Sequence, residues 1–199
     1  MADAHDHHHP AGHGHDPADS CAVAHGEAPA AAARSAGVPV GPAGSPAERT
    51  LIAVFATPVA GFLLRYGADA GFRGLLVEPD EACAAGARMS GFEVRKAVPD
   101  DLDDSADVVV TDHHRDEIGE VLRDALASKA RWVGIMGNPH HPGPHIDALA
   151  ALGVPPGEVA RVHRPIGLNI GSRTPPEIAI ATLAGLLADR NARPGGFDF

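Results

Sequence analysis

Residues 49–80 read RTLIAVFATPVAGFLLRYGADAGFRGLLVEPD, and this stretch decides the fold. Leu51 to Phe55 is a short apolar run without polar alternation, which suits a parallel strand buried on both faces. PVAGFLLRYGADAG follows as a helix, with Pro58 near its start, where a missing N–H costs nothing. GLLVEPD, Gly74 to Asp80, is a second strand that ends in acid.

The same alternation continues downstream. EACAAGARMSG predicts a short Ala-rich helix, FEVRKAV a third strand and ADVVVTD (Ala106–Asp112) a fourth. From Asp116 to Lys129, Ile118, Val121, Leu122, Ala125 and Leu126 recur at helical spacing as one buried stripe. RWVGIMG (Arg131–Gly137) is a fifth strand, residues 143–152 a helix ending at Gly153, and ARVHRPIGL a sixth strand. Thr174 and Glu177 form a T-x-x-E capping box before the last helix, with Pro175 at its first position. The pattern predicts an α/β fold: a Rossmann-like, doubly wound, mostly parallel six-stranded sheet. Its expected order is 3-2-1-4-5-6, with ligands at the carboxyl ends of the strands near the switch point.

That domain occupies residues 49–199. Residues 1–48 are dominated by Ala, Gly, Pro, His and Asp, and they lack the large apolar residues that offset ordering entropy, so they predict a disordered tail. The 199-residue chain carries a formal charge of −10, which argues against nucleic-acid binding through a basic face. No apolar stretch approaches the ~20 residues of a membrane span, and the N-terminus has no secretory pattern. Two cysteines, Cys21 and Cys83, make no disulfide framework; the expectation is a cytoplasmic protein. Cys83, in an Ala-rich helix, reads as a core residue.

Four places could carry chemistry. The turn after the first strand, Phe55-Ala56-Thr57-Pro58-Val59-Ala60, aligns with the G-x-G-x-x-G/A dinucleotide fingerprint, but only Ala60 fits it. Glu78, at the end of strand two, stands where an acid holds a ribose hydroxyl, so NAD(P) is one cofactor reading. The turns Thr111-Asp112-His113-His114-Arg115-Asp116 and Gly137-Asn138-Pro139-His140-His141-Pro142-Gly143-Pro144-His145 follow strands four and five. Together they would bring five histidines and two aspartates to one cleft, suited to a phosphate, a pterin or a metal. The third place is the loop Gly167, Leu168, Asn169, Ile170, Gly171, Ser172, Arg173 and Thr174. A helix start with free N–H groups and an adjacent Arg suits an anion; the alternative is a capped helix that only packs. The fourth is the tail: His5, His7, His8, His9, His13 and His15 are candidate Ni or Zn ligands.

RPIGLNIGSRTPPEIAIATLAGLLADR (164–190), VVVTDHHRDE (108–117) and WVGIMGNPHHPGPHIDALAALGV (132–154) together resemble the XdhC/CoxI family, the xanthine dehydrogenase accessory proteins. The resemblance covers about residues 50–190 and concerns that family's C-terminal, Rossmann-like domain. It implies a chaperone or maturation factor that binds molybdenum cofactor (molybdopterin), helps its sulfuration, and delivers it to a client molybdenum hydroxylase of the xanthine or carbon monoxide dehydrogenase type. A His-rich tail stands where the family's glycine-rich N-terminal domain is usual. That implies a separate subunit, or a homodimer partner, supplying the missing part.

On this reading the segments Thr111–Asp116, Gly137–His141 and Gly167–Thr174 enclose the cofactor. Arg173 neutralises its phosphate, while Asn169, Asn138 and His113 hydrogen-bond the ring system. The alternatives are an NAD(P)-binding oxidoreductase-like protein and a metal-binding or storage protein acting through the tail.

Overall fold

A computed structural model describes residues 49–137 and 143–196. The strands are β1 (Arg49–Val54), β2 (Phe72–Val77), β3 (Val94–Arg95), β4 (Ala106–Val110), β5 (Trp132–Ile135) and β6 (Val162–His163). The helices are α1 (Pro58–Asp69), α2 (Glu81–Met89), α3 (Ile118–Ala127), α4 (Pro144–Ala151), α5 (Pro156–Val159) and α6 (Pro175–Arg190). The six strands form one sheet in the order β3-β2-β1-β4-β5-β6, and all five pairings are parallel. This is the order the strand–helix alternation predicts, with the switch point between β1 and β4.

Both faces of the sheet are covered, so its central strands are apolar on both sides. Leu51 and Ala53 of β1 face α1 and α6, where they meet Leu63, Leu64, Ala179, Leu183 and Leu186. Ile52 and Val54 point the other way, into a core shared with Ile118, Val121, Leu122 and Leu149 of α3 and α4. The predicted stripe of α3 is buried at all five positions. Gly67 lets α1 lie close on β1, since a Cβ there would come within 2.7 Å of Leu51 Cδ2. Cys83 of α2 is buried in the same cluster as Leu51.

Two details depart from the sequence reading. The second strand begins at Phe72 rather than Gly74, and the single turn of α5 follows Pro155 where no helix was expected. The last helix is tied to the sheet by charge. Asp107 of β4, fully buried, accepts from Arg190 Nε at 2.7 Å and from Arg131 Nε at 3.0 Å. Arg190 lies at the C-terminal end of α6, so α6 runs antiparallel to the strands and starts at their carboxyl edge. Among the described residues, no helix is long and apolar enough to cross a membrane.

Candidate functional site

The carboxyl edge at the switch point is built from the turns after β1 and β4. Phe55 holds a left-handed backbone, φ 72°, at the place where the fingerprint has its first glycine. A bulky side chain in this region stores about 1–3 kcal/mol, which the surrounding structure must offset. Its ring is fully buried, and the Arg115 guanidinium lies 4.6 Å from the ring centroid.

Two of the N–H groups that would reach a pyrophosphate are occupied. Ala56 N donates to Glu78 Oε2 at 2.7 Å, and Thr57 N donates to Phe55 O at 2.9 Å. Thr57 caps α1 by accepting from Ala60 N at 3.1 Å, and its hydroxyl meets the Thr111 hydroxyl at 2.8 Å. Thr111 Oγ1 in turn lies 2.9 Å from Val54 O and 3.1 Å from Phe55 O. These two threonines stitch the first and fourth strand ends together across the switch point.

Glu78 is equally committed. It is fully buried, and besides Ala56 N it accepts from Asp80 N at 2.9 Å and from Arg115 Nη2 at 3.1 Å, both at Oε1. Burial works against the charge on Arg115, but hydrogen bonds to Glu117 and Glu78 outweigh it and hold the guanidinium firmly protonated. Glu117 is correspondingly held below the usual carboxylate range by its hydrogen bond from Arg115. The ribose role expected of Glu78 therefore does not fit the structure, because the carboxylate is turned inward as an anchor for two turns.

Beyond Thr111, Asp112 Oδ1 accepts from His114 N at 2.8 Å, which folds the turn back on itself. The rings of His113 and His114 lie 4.0 Å apart. Burial, then His114, pushes His113 below its ordinary value; Asp112 opposes the shift, and the Arg164 charge adds to it. His145, on the first turn of α4, is buried and is likewise held down by burial and by Arg164. Arg164, just after β6, sits against Gly137, where a Cβ would come within 2.6 Å of its Nε. His145 packs on Gly143 in the same way, 2.3 Å from where a Cβ would stand. The structure thus brings Thr111, Asp112, His113, His114 and Gly137 to one edge, with Arg164 and His145 beside them. Asn138, His140 and His141 lie outside the described residues, as do His5, His7, His8, His9, His13 and His15 of the tail.

The third segment is placed differently. Gly167, φ 83°, rests on the backbone of Ala181 and Thr182, and Leu168 N donates to Ala181 O at 3.0 Å. The loop through Asn169, Gly171, Ser172 and Arg173 to Thr174 then runs along α6 to its start. The capping box forms as predicted: Glu177 accepts from Arg173 N at 2.8 Å and from Thr174 N at 3.1 Å. Those bonds hold Glu177 below the usual carboxylate range. The helix start consequently has no N–H to offer an anion. Pro175 and Pro176 carry none, the Glu177 N–H faces the Thr174 side chain, and Ile178 N bonds Thr174 O. The expectation of an anion site at free helix N–H groups is corrected on this ground, which leaves the Arg173 side chain as the positive group there. Among the described residues, no three His, Cys, Asp or Glu side chains are grouped to hold a metal.

Sequence reasoning missed Arg115 and Arg164. Nothing local marks Arg115, whose partner Glu78 is 37 residues away. Arg164 had a readable signal, since it directly follows a strand whose carboxyl end lies on the ligand edge.

A parallel sheet in this order, covered on both faces and with polar turns at one edge, defines a Rossmann-type domain. The profile of the XdhC Rossmann domain matches residues 51–186, well over half of the chain, and the chain belongs to that family. It is 32% identical over 111 residues to the uncharacterized protein YqeB of Escherichia coli strain K12, covering 56% of this chain and 19% of YqeB. Its fold is similar to that in the crystal structure of a xanthine dehydrogenase from Bacillus halodurans, with TM-score 0.58 and 21% identity over 73% of this chain and 45% of that one. The chain therefore spans about a fifth of its curated relative and under half of the solved one.

Proposed function

We propose that this protein is a cytoplasmic accessory factor for a molybdenum hydroxylase of the xanthine or carbon monoxide dehydrogenase type, and that it binds or delivers molybdenum cofactor. The observation that carries the reading is membership of the XdhC family across the whole sheet. The donor set at the carboxyl edge supports it. A phosphate-bearing pterin needs cationic donors for its phosphate and uncharged donors and acceptors for its ring. Arg164 and Arg173 supply guanidinium groups. His113, held toward its neutral form, supplies an uncharged group for the ring, and the Asp112 carboxylate adds an acceptor for the pterin N–H groups. When bound, the cofactor supplies the molybdenum centre used by the client enzyme; this chain binds, orients and releases it. The remainder of the cofactor's surface is covered by a further domain or by a second copy of the chain.

The test is retention of cofactor by the purified full-length chain on gel filtration, read by pterin fluorescence and molybdenum content. Wild-type protein retains both, and Arg173→Glu abolishes retention. A wild-type protein that elutes without pterin overturns the reading, and unchanged retention by Arg173→Glu overturns the assignment of that residue.

A further inference from the structure

On the sheet face that Leu51 and Ala53 point to, α6 packs beside α1. Residues 178–188 of α6 read IAIATLAGLLA, a run without a single charged group. A helix on a protein surface keeps a polar outer side, whereas one that is apolar all round belongs inside a structure. The inner side of α6 is satisfied, since Ala179, Leu183 and Leu186 are buried in the core shared with α1. Its outer side carries Ile180, Ala184 and Leu187, whose i, i+4, i+7 spacing places them on one stripe. Ile180 is 51% exposed, and Ala184 and Leu187 are half-buried. Ile170, in the loop that runs along α6, is also exposed, and Val59, Phe62 and Tyr66 of α1 are only partly buried. Grouped apolar exposure of this kind marks an interaction surface, unlike single exposed residues.

We propose that this stripe is the centre of an interface with a second copy of the chain, in which α6 packs antiparallel on the partner's α6 about a two-fold axis at Ala184. A two-fold interface uses the same patch twice, so the patch must complement itself. Ile180 lies four residues before Ala184 and Leu187 three after it, so the rotation sets Ile180 against the partner's Leu187. Ala184, with the smallest side chain of the three, stands where the helices cross and lets their axes approach. The ends also match. Glu177 carries a negative charge at the start of α6, and Arg193, exposed just past its end, a positive one. Antiparallel packing brings Glu177 toward the partner's Arg193 and opposes the two helix dipoles. An uncharged centre with charges at the rim is the usual anatomy of a protein interface. A different protein would require no such symmetry of α6 about Ala184; a second copy does. The stripe lies on the outer surface of the helix layer, not at the turns after β1 and β4, so the pairing does not depend on the molybdenum cofactor reading.

Light scattering during gel filtration of the full-length, cofactor-free chain tests the proposal. The wild type elutes at twice the 20.4 kDa of one chain. Ile180→Glu and Ala184→Arg, which place a charge on the outer stripe, elute at the mass of one chain with unchanged circular dichroism. Ile146→Glu, at a half-exposed apolar position of α4 on the other face of the sheet, stays dimeric. Should either charged variant of α6 fail to fold, Ala184→Cys gives a second reading. Near the axis, it forms a disulfide-linked dimer under mild oxidation beyond any seen for the parent chain, and Ile146→Cys does not. A wild type at the mass of one chain overturns the proposal. So does a dimer that survives Ile180→Glu and Ala184→Arg, or an Ala184→Cys chain that links no more than its parent. Mass is read without cofactor, so none of these results bears on the retention experiment above.

Discussion

Arg115 closes over Glu78 at the end of β2, 3.1 Å from Oε1, and this pair decides what the switch point can hold. The carboxylate that a dinucleotide-binding sheet would offer to ribose instead fixes the turns after β1 and β4 to each other. Removing Arg115 leaves a fully buried carboxylate with only its two backbone donors. Arg115→Met is expected to lower unfolding free energy by about 2–3 kcal/mol, checked by urea denaturation. Wild-type protein titrated with NADH is expected to give no saturable fluorescence change. A Glu78-dependent saturable signal would contradict this account of the turn.

The chain has a single tryptophan, Trp132, and its ring lies over Gly134 while stacking on His163 at 4.9 Å. A Cβ at Gly134 would come within 2.2 Å of that ring and 2.8 Å of Ile166 Cγ2. Gly134→Ala therefore forces the indole aside, at about 1–3 kcal/mol of stability. The shift is expected in the tryptophan emission maximum of the folded protein as well as in the melting temperature.

Burial and Arg164 depress His145 below its ordinary value of 6.5. The unfolded chain then binds more protons than the folded one as pH falls through 6.5. The stability from the neutral imidazole is complete above that value and is lost as acid carries the protein through the lower folded value. Melting temperature is expected to fall between pH 7 and pH 5, and His145→Asn, which does not titrate, reduces the fall. His113, depressed mainly by burial, contributes in the same direction, so the variant flattens the profile only in part.

Asp107 holds Arg131 and Arg190, joining β4, β5 and α6 at the amino edge of the sheet. Asp107→Ala leaves two partly buried guanidinium groups without their shared acceptor, at a cost of about 3 kcal/mol. Hydrogen exchange is expected to quicken most in the last turns of α6, because Arg190 fastens that end.

The central strands were legible because a strand buried on both faces must be continuously apolar, as Leu51–Phe55 and Val108–Val110 are. The start of α1 was legible from Pro58, and the cap of α6 from Thr174 with Glu177, because these are local devices. β3 and β6, with two paired residues each, take their extent from neighbouring strands rather than from their own composition. The turn at Phe55 keeps the left-handed backbone of a glycine without having one; its buried ring under Arg115 and its backbone bonds with Val77, Thr57 and Thr111 hold it there. Glu78 was misread because its role is set by Arg115, far away in sequence. Of the two readings of the α6 start, the capped helix is the one the geometry supports, because Pro175 and Pro176 lack the N–H groups an anion would need.

The measurement that bears most directly on function is native mass spectrometry of the full-length chain offered molybdenum cofactor and NADH together. A retained adduct of pterin-cofactor mass, lost in Arg173→Glu, is the predicted result. A dinucleotide adduct in its place, or no pterin adduct at all, would contradict a role in carrying molybdenum cofactor.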